Sequence, residues 1–197
     1  MRCGAHREQA KHKLTKAEVR ACAEQDQLDV ALLSTAAFAG RRLGGLRALR
    51  VGDLEFAKRL IHVRRAYTIG SEEAPKSGRV RSLPTIDQVA TVLEELSKRE
   101  THTGEEDLIF GTPKSAYIND SALRRRYYAA LKAAGLRHPR FHDLRHTFAT
   151  LAVQVFPLSD VQAYMGHADI STTMIYVQRV LRNDAAALSA AVGGGGA

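Results

Sequence analysis

The residues with the clearest chemical capacity are a tyrosine near the end of the chain and two groups of basic side chains before it. Tyr176 follows His167 by nine residues and His142 by thirty-four, and His142 opens the segment His-Asp-Leu-Arg-His at 142–146. On a helix, His142 and Arg145 are three residues apart and share one face. Arginine binds phosphate oxygens in pairs without losing its charge, and histidine moves protons near neutral pH. A phenol beside such groups is equipped to attack a phosphate ester without a metal ion.

The same segment offers a metal-binding alternative, because His142 and His146 have the i, i+4 spacing of a zinc-binding helix. The glutamate of the HExxH pattern is missing and no third ligand is obvious. The two cysteines, Cys3 and Cys22, do not have a zinc-ligand spacing and are too few for a disulfide framework. There is also no Walker-type phosphate loop. The sequence therefore predicts neither a metal ion nor a cofactor.

The charge balance predicts a polyanionic partner. Lysine and arginine number 29 against 21 aspartates and glutamates, which gives a formal net charge of +8 over 197 residues. The basic residues recur in clusters, including positions 41–42, 64–65 and 124–126. Net charge alone fits a surface that merely keeps the protein soluble equally well. The most apolar stretch, 30–39, is far shorter than the roughly 20 residues of a membrane helix, and the start of the chain has no signal-peptide core. We expect a soluble, cytoplasmic protein with no membrane partner.

Periodicity predicts an α+β chain that is mainly α-helical, with one small three-stranded antiparallel sheet. Helices are expected at about 15–25, 29–39, 121–134 and 142–155, with others starting at about 85 and 159. A capping box of Thr85 and Gln88 would begin the helix that starts at about 85. The strands are expected at 54–56, 60–63 and 80–83, separated by turn-forming residues.

The spacing between His167 and Tyr176 requires a bend. Nine residues of unbroken helix turn by about 900°, so the two side chains would face opposite sides. Segment 168–171 can supply the bend, with Asp169 or Ser171 capping a new helix that carries Tyr176.

Four motifs in this order resemble the catalytic domain of the tyrosine recombinases, the phage integrase family, over residues 14–181. The first motif is Ala-Gly-Arg-Arg-Leu-Gly-Gly-Leu-Arg at 39–47, followed by an aspartate at 53. The second is Lys-Ser-Gly-Arg-Val-Arg-Ser-Leu-Pro at 76–84, similar to the family's hairpin lysine and its Arg-x-aliphatic-Pro. The third is 140–146, and the fourth is Met165 to Tyr176. Each motif is weak alone, and the ordered set is specific.

The resemblance implies a set of catalytic residues and a role for most of them. Arginines clamp the phosphate, a histidine assists proton transfer, and a lysine protonates the departing 5′ oxygen. The tyrosine forms a 3′-phosphotyrosyl intermediate. The implied catalytic residues are Arg42, Lys76, His142, Arg145, His167 and Tyr176.

Two departures from the family pattern affect the first motif. Arg41 replaces the usual leucine, and Gly45 replaces the usual acidic residue, which in the family helps to hold this region in place. A rival alignment takes Arg47 as the catalytic arginine, but Lys58 would then occupy the position that Asp53 fills. The first alignment is favoured, and a basic turn that only touches the DNA backbone is the non-catalytic alternative.

The resemblance also implies an organisation and partners. Residues 1–13 are expected to be a linker or tail remnant, 14–182 the catalytic domain, and 183–197 an Ala/Gly-rich tail with a possible helix for protomer docking. The expected partner is double-stranded DNA, with a homotetramer on DNA and a monomer when free. Family members usually carry a helical core-binding domain before the catalytic one, which the residues before Leu14 cannot form.

The sequence therefore predicts the catalytic domain of a site-specific DNA recombinase or integrase that works without a metal ion, associated with DNA in the cytoplasm. A type IB topoisomerase, which nicks and closes DNA, uses similar chemistry and is one alternative. A catalytically degenerate DNA-binding module is another. An RNA-binding or purely structural role leaves the ordered arginine, lysine, histidine and tyrosine series unexplained.

Overall fold

The expected architecture, mainly helical with a small antiparallel sheet, is confirmed by the structure, a computed structural model that describes residues 27–68, 70–74, 80–114 and 116–177. Within these ranges the elements are α1 (Gln27–Phe38), α2 (Leu43–Arg47), β1 (Leu54–Glu55), β2 (Leu60–Val63), β3 (Ala66–Thr68), β4 (Ser71–Glu73), β5 (Arg81–Pro84), α3 (Asp87–Ser97), α4 (Asp120–Ala133), α5 (Leu144–Ala152), α6 (Leu158–Met165) and α7 (Ser171–Val177). Short 3₁₀ turns lie at Val51–Asp53, Phe56–Lys58 and Phe141–Asp143.

The predicted three-stranded sheet is present, in the order β1-β2-β5 with antiparallel neighbours. Ile61 lies opposite Leu54 on one side and Leu83 on the other. Ile61 and Leu83 are buried, so this face of the sheet packs on the core. The pairing places Arg81, the first residue of β5, opposite Val63.

A second sheet, the β3–β4 hairpin, was not predicted. Its strands carry polar, mostly exposed residues without the alternation that marks a half-buried strand. Long-range contacts hold it instead. The ring of Tyr67 stacks on that of Tyr117 with centroids 3.7 Å apart, and Glu72 accepts hydrogen bonds from Arg50 and from the Tyr117 hydroxyl.

The core is built around α1, which is apolar on nearly all sides and is buried accordingly. Ala31, Ala36 and Ala37 are small, so α1 contacts α5, α3 and α2. A second buried cluster joins α5 to α6 and α7, and it includes Phe148, Met165 and Tyr176. The two clusters together position the α1–α2 segment against α5 and the end of α6.

Some local predictions were wrong and others lie outside the described residues. The capping box at Thr85 is absent, because Ile86 is the N-cap of α3 and the Thr85 amide donates to Arg59 O at 2.9 Å. His142 lies in the 3₁₀ turn that precedes α5 rather than in the helix itself. The predicted helix at 15–25, Lys76, the linker at 1–13 and the tail at 183–197 are outside the described ranges. No helix in those ranges is long and apolar enough to cross a membrane.

Candidate functional site

A glycine fixes the α1–α2 segment to helix α5. Gly40 has φ +63°, and a Cβ there would lie 2.4 Å from Cδ1 of Phe148 on α5. Only glycine permits both this conformation and this approach. The Gly40 carbonyl accepts a hydrogen bond from the Arg145 guanidinium. The glycine of the first motif therefore sets the distance between the segment that carries Arg42 and the helix that carries Arg145.

Arg145 is deeply buried, with 4% of its surface exposed. Its guanidinium also donates to the carbonyl of Met165, at the end of α6. Burial, followed by the positive charges of Arg42 and Arg81, lowers the pKa of Arg145 to about 9 against the opposing effect of Tyr176. The side chain is thus a buried cation held by two carbonyl groups.

Two further guanidiniums meet at the turn after α6. Gly166 has φ +58°, and its carbonyl accepts a hydrogen bond from Arg42 Nη2 at 3.4 Å. A Cβ at Gly166 would lie 1.4 Å from Arg81 Nη1, so the Arg81 guanidinium rests directly on this glycine. Burial and the nearby Arg42 lower the pKa of Arg81.

None of these three arginines takes part in an ion pair with a carboxylate of the described residues. We call Arg42, Arg81 and Arg145 the arginine cluster. Three guanidiniums that share one turn, with no carboxylate partner in the part of the chain that the structure describes, are suited to bind an anion.

Two predicted histidines adjoin the arginine cluster. Burial lowers the pKa of His167 to about 4, and Arg145, Arg42 and Arg81 contribute in the same direction. Burial, followed by Arg145 and Arg42, also lowers the pKa of His142, although Asp143 opposes these effects. Both rings are therefore neutral at pH 7. A neutral imidazole can donate one hydrogen bond to a phosphate oxygen without adding to the repulsion among the arginines.

Tyr176 lies on α7, which begins after the predicted bend. Asp169 Oδ1 accepts a hydrogen bond from Ser171 N at 2.8 Å, so Asp169 satisfies the first amide of the new helix. Tyr176 is 4% exposed, and its ring is nearly parallel to that of His167, with centroids 6.3 Å apart. Tyr176 packs in the same buried cluster as Met165, whose carbonyl accepts a hydrogen bond from Arg145, so the phenol lies beside the arginine cluster.

The hydroxyl of Tyr176 contacts a histidine that was not among the predicted site residues. Tyr176 Oη lies 2.5 Å from His146 Nδ1. The sequence signal for His146 was its place in the 142–146 segment, where it was considered only as a metal ligand. No group of three potential metal ligands occurs in the described part of the chain. Arg81 was also missed as a site residue, although it belongs to the quoted 76–84 motif.

The two departures in the first motif prove to be in contact. Arg41 is 3% exposed and donates to Gly45 O at 2.6 Å and to His62 O at 3.2 Å. A Cβ at Gly45 would lie 3.2 Å from Arg41 Nη2, which is tighter than nearly all such contacts. Burial lowers the pKa of Arg41 to about 10, against the opposing charge of Asp53. The glycine thus makes room for the arginine, and Arg41 braces α2 against the sheet.

The structure separates the two candidate arginines of the first motif. Arg42 joins the cluster, whereas the guanidinium carbon of Arg47 lies 4.5 Å from the ring centre of Tyr67, on the β3–β4 hairpin. Of the six predicted residues, five are therefore gathered around the turn after α6. The sixth, Lys76, is outside the described residues.

A mostly helical domain that gathers these side chains at one turn has the fold of a tyrosine recombinase catalytic domain. Its structure resembles that of the XerA recombinase, with a TM-score of 0.67 and 25% identity over 92% of this chain and 65% of that one. It also resembles the Tn1549 transposon integrase in complex with transposon right end DNA, with a TM-score of 0.70 and 21% identity over 84% of this chain and 60% of that one.

Sequence comparison gives the family. Residues 8–181 match the model of the phage integrase family, and the chain belongs to that family. The tyrosine recombinase XerC of Herpetosiphon aurantiacus is 33% identical over 81% of this chain and 52% of its own length. A tyrosine recombinase of Pseudothermotoga lettingae is 32% identical over 79% of this chain and 51% of its own length. The chain thus spans about half the length of the curated relatives it matches.

Proposed function

We propose that this chain is the catalytic domain of a site-specific DNA recombinase that cleaves and rejoins strands through a 3′-phosphotyrosyl bond to Tyr176. The observation that carries the proposal is the phenol of Tyr176 beside the arginine cluster. Family membership and the DNA-bound state of the Tn1549 integrase structure support the same substrate. The domain would occupy residues 14–182.

The arginine cluster would bind the phosphodiester at the cleavage point. Arg42, Arg81 and Arg145 supply guanidinium donors for the two non-bridging oxygens, and His142 and His167 supply neutral ones. Negative charge grows on these oxygens in the pentavalent transition state, so donors fixed in advance stabilise that state more than the ground state. In a half-buried site such donors are stronger than in water.

The tyrosine would act as the nucleophile. A free phenol has a pKa near 10, so only about one in a thousand is ionised at pH 7, and a base must take its proton during attack. The phenol oxygen bonds to phosphorus, and the bond from phosphorus to the 5′ oxygen breaks. Lys76 would protonate that oxygen, as the family resemblance implies. The covalent bond conserves the phosphodiester energy, so another 5′ hydroxyl can complete an exchange without a nucleotide cofactor.

The partners and assembly belong to the same proposal. We expect double-stranded DNA as the substrate, a tetramer as the active assembly on DNA, and a monomer in its absence. A helical core-binding domain, present in the family, would clamp the opposite side of the duplex. We expect a DNA-associated location in the cytoplasm.

Covalent trapping tests the proposal without knowledge of the target site. A library of duplexes with a nick and randomised flanking sequence is incubated with the protein, and adducts that resist denaturation are isolated. We expect the attached peptide to carry the phosphate on Tyr176, as read by mass spectrometry. Tyr176→Phe should form no adduct, whereas Tyr164→Phe, which removes the hydroxyl of a half-buried tyrosine on α6, should form it normally.

The outcomes separate the alternatives. An adduct that survives in Tyr176→Phe would exclude this nucleophile. DNA binding without any adduct would identify a non-catalytic binding module. Sites recovered from the library can then be placed in supercoiled plasmids, where relaxation without strand exchange would identify a topoisomerase.

A further inference from the structure

Among the three histidines around Tyr176, His146 is the one that touches the reacting atom. Its Nδ1 lies 2.5 Å from the phenol oxygen. The Nδ1 of His167 lies 2.9 Å from Thr173 Oγ1, and its ring stacks beside the phenol ring rather than facing the hydroxyl. The ring of His142 meets that of His146 edge-on, with centroids 5.6 Å apart. His142, the histidine of the third motif, therefore lies one ring further from the phenol than His146 does.

We propose that His146 is a catalytic residue that takes the phenol proton as Tyr176 attacks the phosphorus. This inference rests on the proposed function. The proton moves from Tyr176 Oη to His146 Nδ1 while the phenol oxygen bonds to phosphorus. The 5′ oxygen leaves and takes a separate proton from the general acid. In the rejoining step His146 returns its proton to the departing phenol, so the residue ends the cycle unchanged.

The surroundings of His146 favour this direction of transfer. For Nδ1 to accept a proton, the ring must carry its hydrogen on Nε2, and His146 Nε2 lies 3.8 Å from Asp143 Oδ1. This is too long for a hydrogen bond but within ion-pair distance, so the carboxylate stabilises the imidazolium that forms. Asp143 is held in place by Arg140, whose amide donates to Oδ2 at 3.0 Å and whose guanidinium donates to Oδ1 at 3.2 Å.

The other two histidines have the opposite environment. His142 and His167 face the arginine cluster, and burial, followed by the positive charges there, lowers the pKa of both rings. A ring beside three guanidiniums resists a second positive charge but donates readily to a phosphate oxygen. The two environments therefore suit different roles: His142 and His167 donate hydrogen bonds to the phosphate, and His146 accepts the proton of the nucleophile.

The test uses single-turnover adduct formation on a nicked site recovered from the library. His146→Asn places an amide near the former Nδ1, so the phenol keeps a hydrogen-bond partner but loses its proton acceptor. We expect the rate to fall by about 100-fold or more, the usual contribution of a general base. His146→Ala should be equally slow. His138→Ala, which alters an exposed histidine stacked on Tyr128, is the matched control and should retain the full rate.

A second measurement distinguishes proton transfer from positioning. A fluorinated tyrosine at position 176 has a more acidic phenol and depends less on a base. In the His146→Asn background it should speed adduct formation by about tenfold, while in the unchanged chain the effect should be about threefold or less. This comparison stays valid if the variants are slightly destabilised, because both rates come from the same folded protein.

Each result decides the matter. A full rate in His146→Asn, or the same fluorine effect in both backgrounds, would overturn the inference while leaving the proposed function in place. Failure of the unchanged chain to form any adduct would overturn both. A slow His146→Asn variant that fluorination rescues would support the assignment.

Discussion

Two groups of arginines in this domain differ in their counter-charges. In the first group, which lies away from the site, the guanidiniums are neutralised by carboxylates that belong to other elements. Arg50 bonds to Glu72 and Glu106, Arg64 and Arg65 lie 3.3 and 3.6 Å from Asp53, and Arg126 bonds to Asp29. These pairs fasten the β3–β4 hairpin, the first motif and α4 to the rest of the domain.

The arginine cluster has carbonyl partners instead. Arg145 bonds to the carbonyls of Gly40 and Met165, and Arg42 bonds to that of Gly166. A carbonyl orients a guanidinium without cancelling its charge. A carbonyl partner alone does not mark an anion site, because Arg41 and Arg99 also donate to carbonyls and act within the fold. What distinguishes the arginine cluster is that three such guanidiniums converge on one turn.

Replacing one arginine from each group should give the largest contrast. Arg145→Ala is expected to slow adduct formation by about 1,000-fold, since a fixed transition-state donor is lost. Arg145→Lys keeps the charge without the planar fork and should remain strongly impaired. Arg126→Ala removes an exposed ion pair and should cost about 0.2–1 kcal/mol of stability with no change in cleavage. Equal losses of cleavage activity in Arg145→Ala and Arg126→Ala would show that the two groups of arginines do not differ in function.

Arg81 tests whether the cluster extends beyond the residues implied by the family pattern. Arg81→Ala should slow adduct formation by about 30-fold, less than Arg145→Ala because Arg81 is only half-buried. Arg47→Ala is the matched control, since the buried Nε atoms of Arg47 and Arg81 both have no hydrogen-bond partner among the described residues. Arg47 contacts Tyr67 instead of the cluster, so its loss should leave single-turnover cleavage within about twofold. A normal rate for Arg81→Ala would remove it from the site.

An inorganic anion should reveal the unpaired charge directly. If sulfate binds the cluster with a dissociation constant of about 10 mM, 100 mM sulfate stabilises the fold by about 1.4 kcal/mol. For a domain of this size that corresponds to a rise in Tm of about 3–6 °C. Sodium chloride at equal ionic strength is the control. The shift should vanish in Arg145→Ala and persist in Arg126→Ala, and a shift that survives in both variants would place the anion elsewhere.

The contact of Arg41 with Gly45 predicts a coupling of about 1 kcal/mol between the two positions. Alanine is a better helix residue than glycine by about 1 kcal/mol, so Gly45→Ala should stabilise α2 when Arg41 is replaced by leucine. With Arg41 present, the added methyl group meets the buried guanidinium, and the gain should disappear. Urea unfolding of the unchanged chain, Arg41→Leu, Gly45→Ala and the double variant measures the four free energies of unfolding in this double-mutant cycle. Additive effects would show that the two departures from the family pattern are independent.

The pH dependence of stability should be the smallest effect. The pKa of His167 is about 4 in the folded state and that of His142 is also lowered, whereas an unfolded histidine titrates near 6.5. The unfolded state therefore binds more protons, so this contribution is fully present above about pH 6.5 and is lost as the pH falls towards 4. Bound sulfate raises both pKa values, so its stabilising effect should grow from pH 7 to pH 5. Thermal melts at each pH, with and without sulfate, measure this, and a sulfate effect independent of pH would contradict it.

The features that the sequence predicted correctly depend on local rules. The run of small and apolar residues at 29–39 predicted α1, the predicted helix at 121–134 is α4, which ends just before Gly135, and helical geometry required the bend between His167 and Tyr176. The five gathered site residues were predicted by motif resemblance, because each motif is short and carries its own signal.

The features that were missed depend on distant partners. The β3–β4 hairpin needs Tyr117 and Arg50, neither of which is visible from its own strand sequence. The hydrogen bond between His146 and Tyr176 exists only because α5 and α7 pack together. Arg41 and Gly45 are four residues apart, but their contact forms because β2 buries the arginine.

The carbonyls of Met165 and Gly166 end helix α6, where the aligned peptide dipoles leave roughly half a negative charge. That fraction orients the guanidiniums of Arg42 and Arg145, yet it is weaker than the full charge of a phosphodiester. Under the proposed function, the end of the helix would therefore keep the two arginines in position and give them up to the phosphate of a DNA strand.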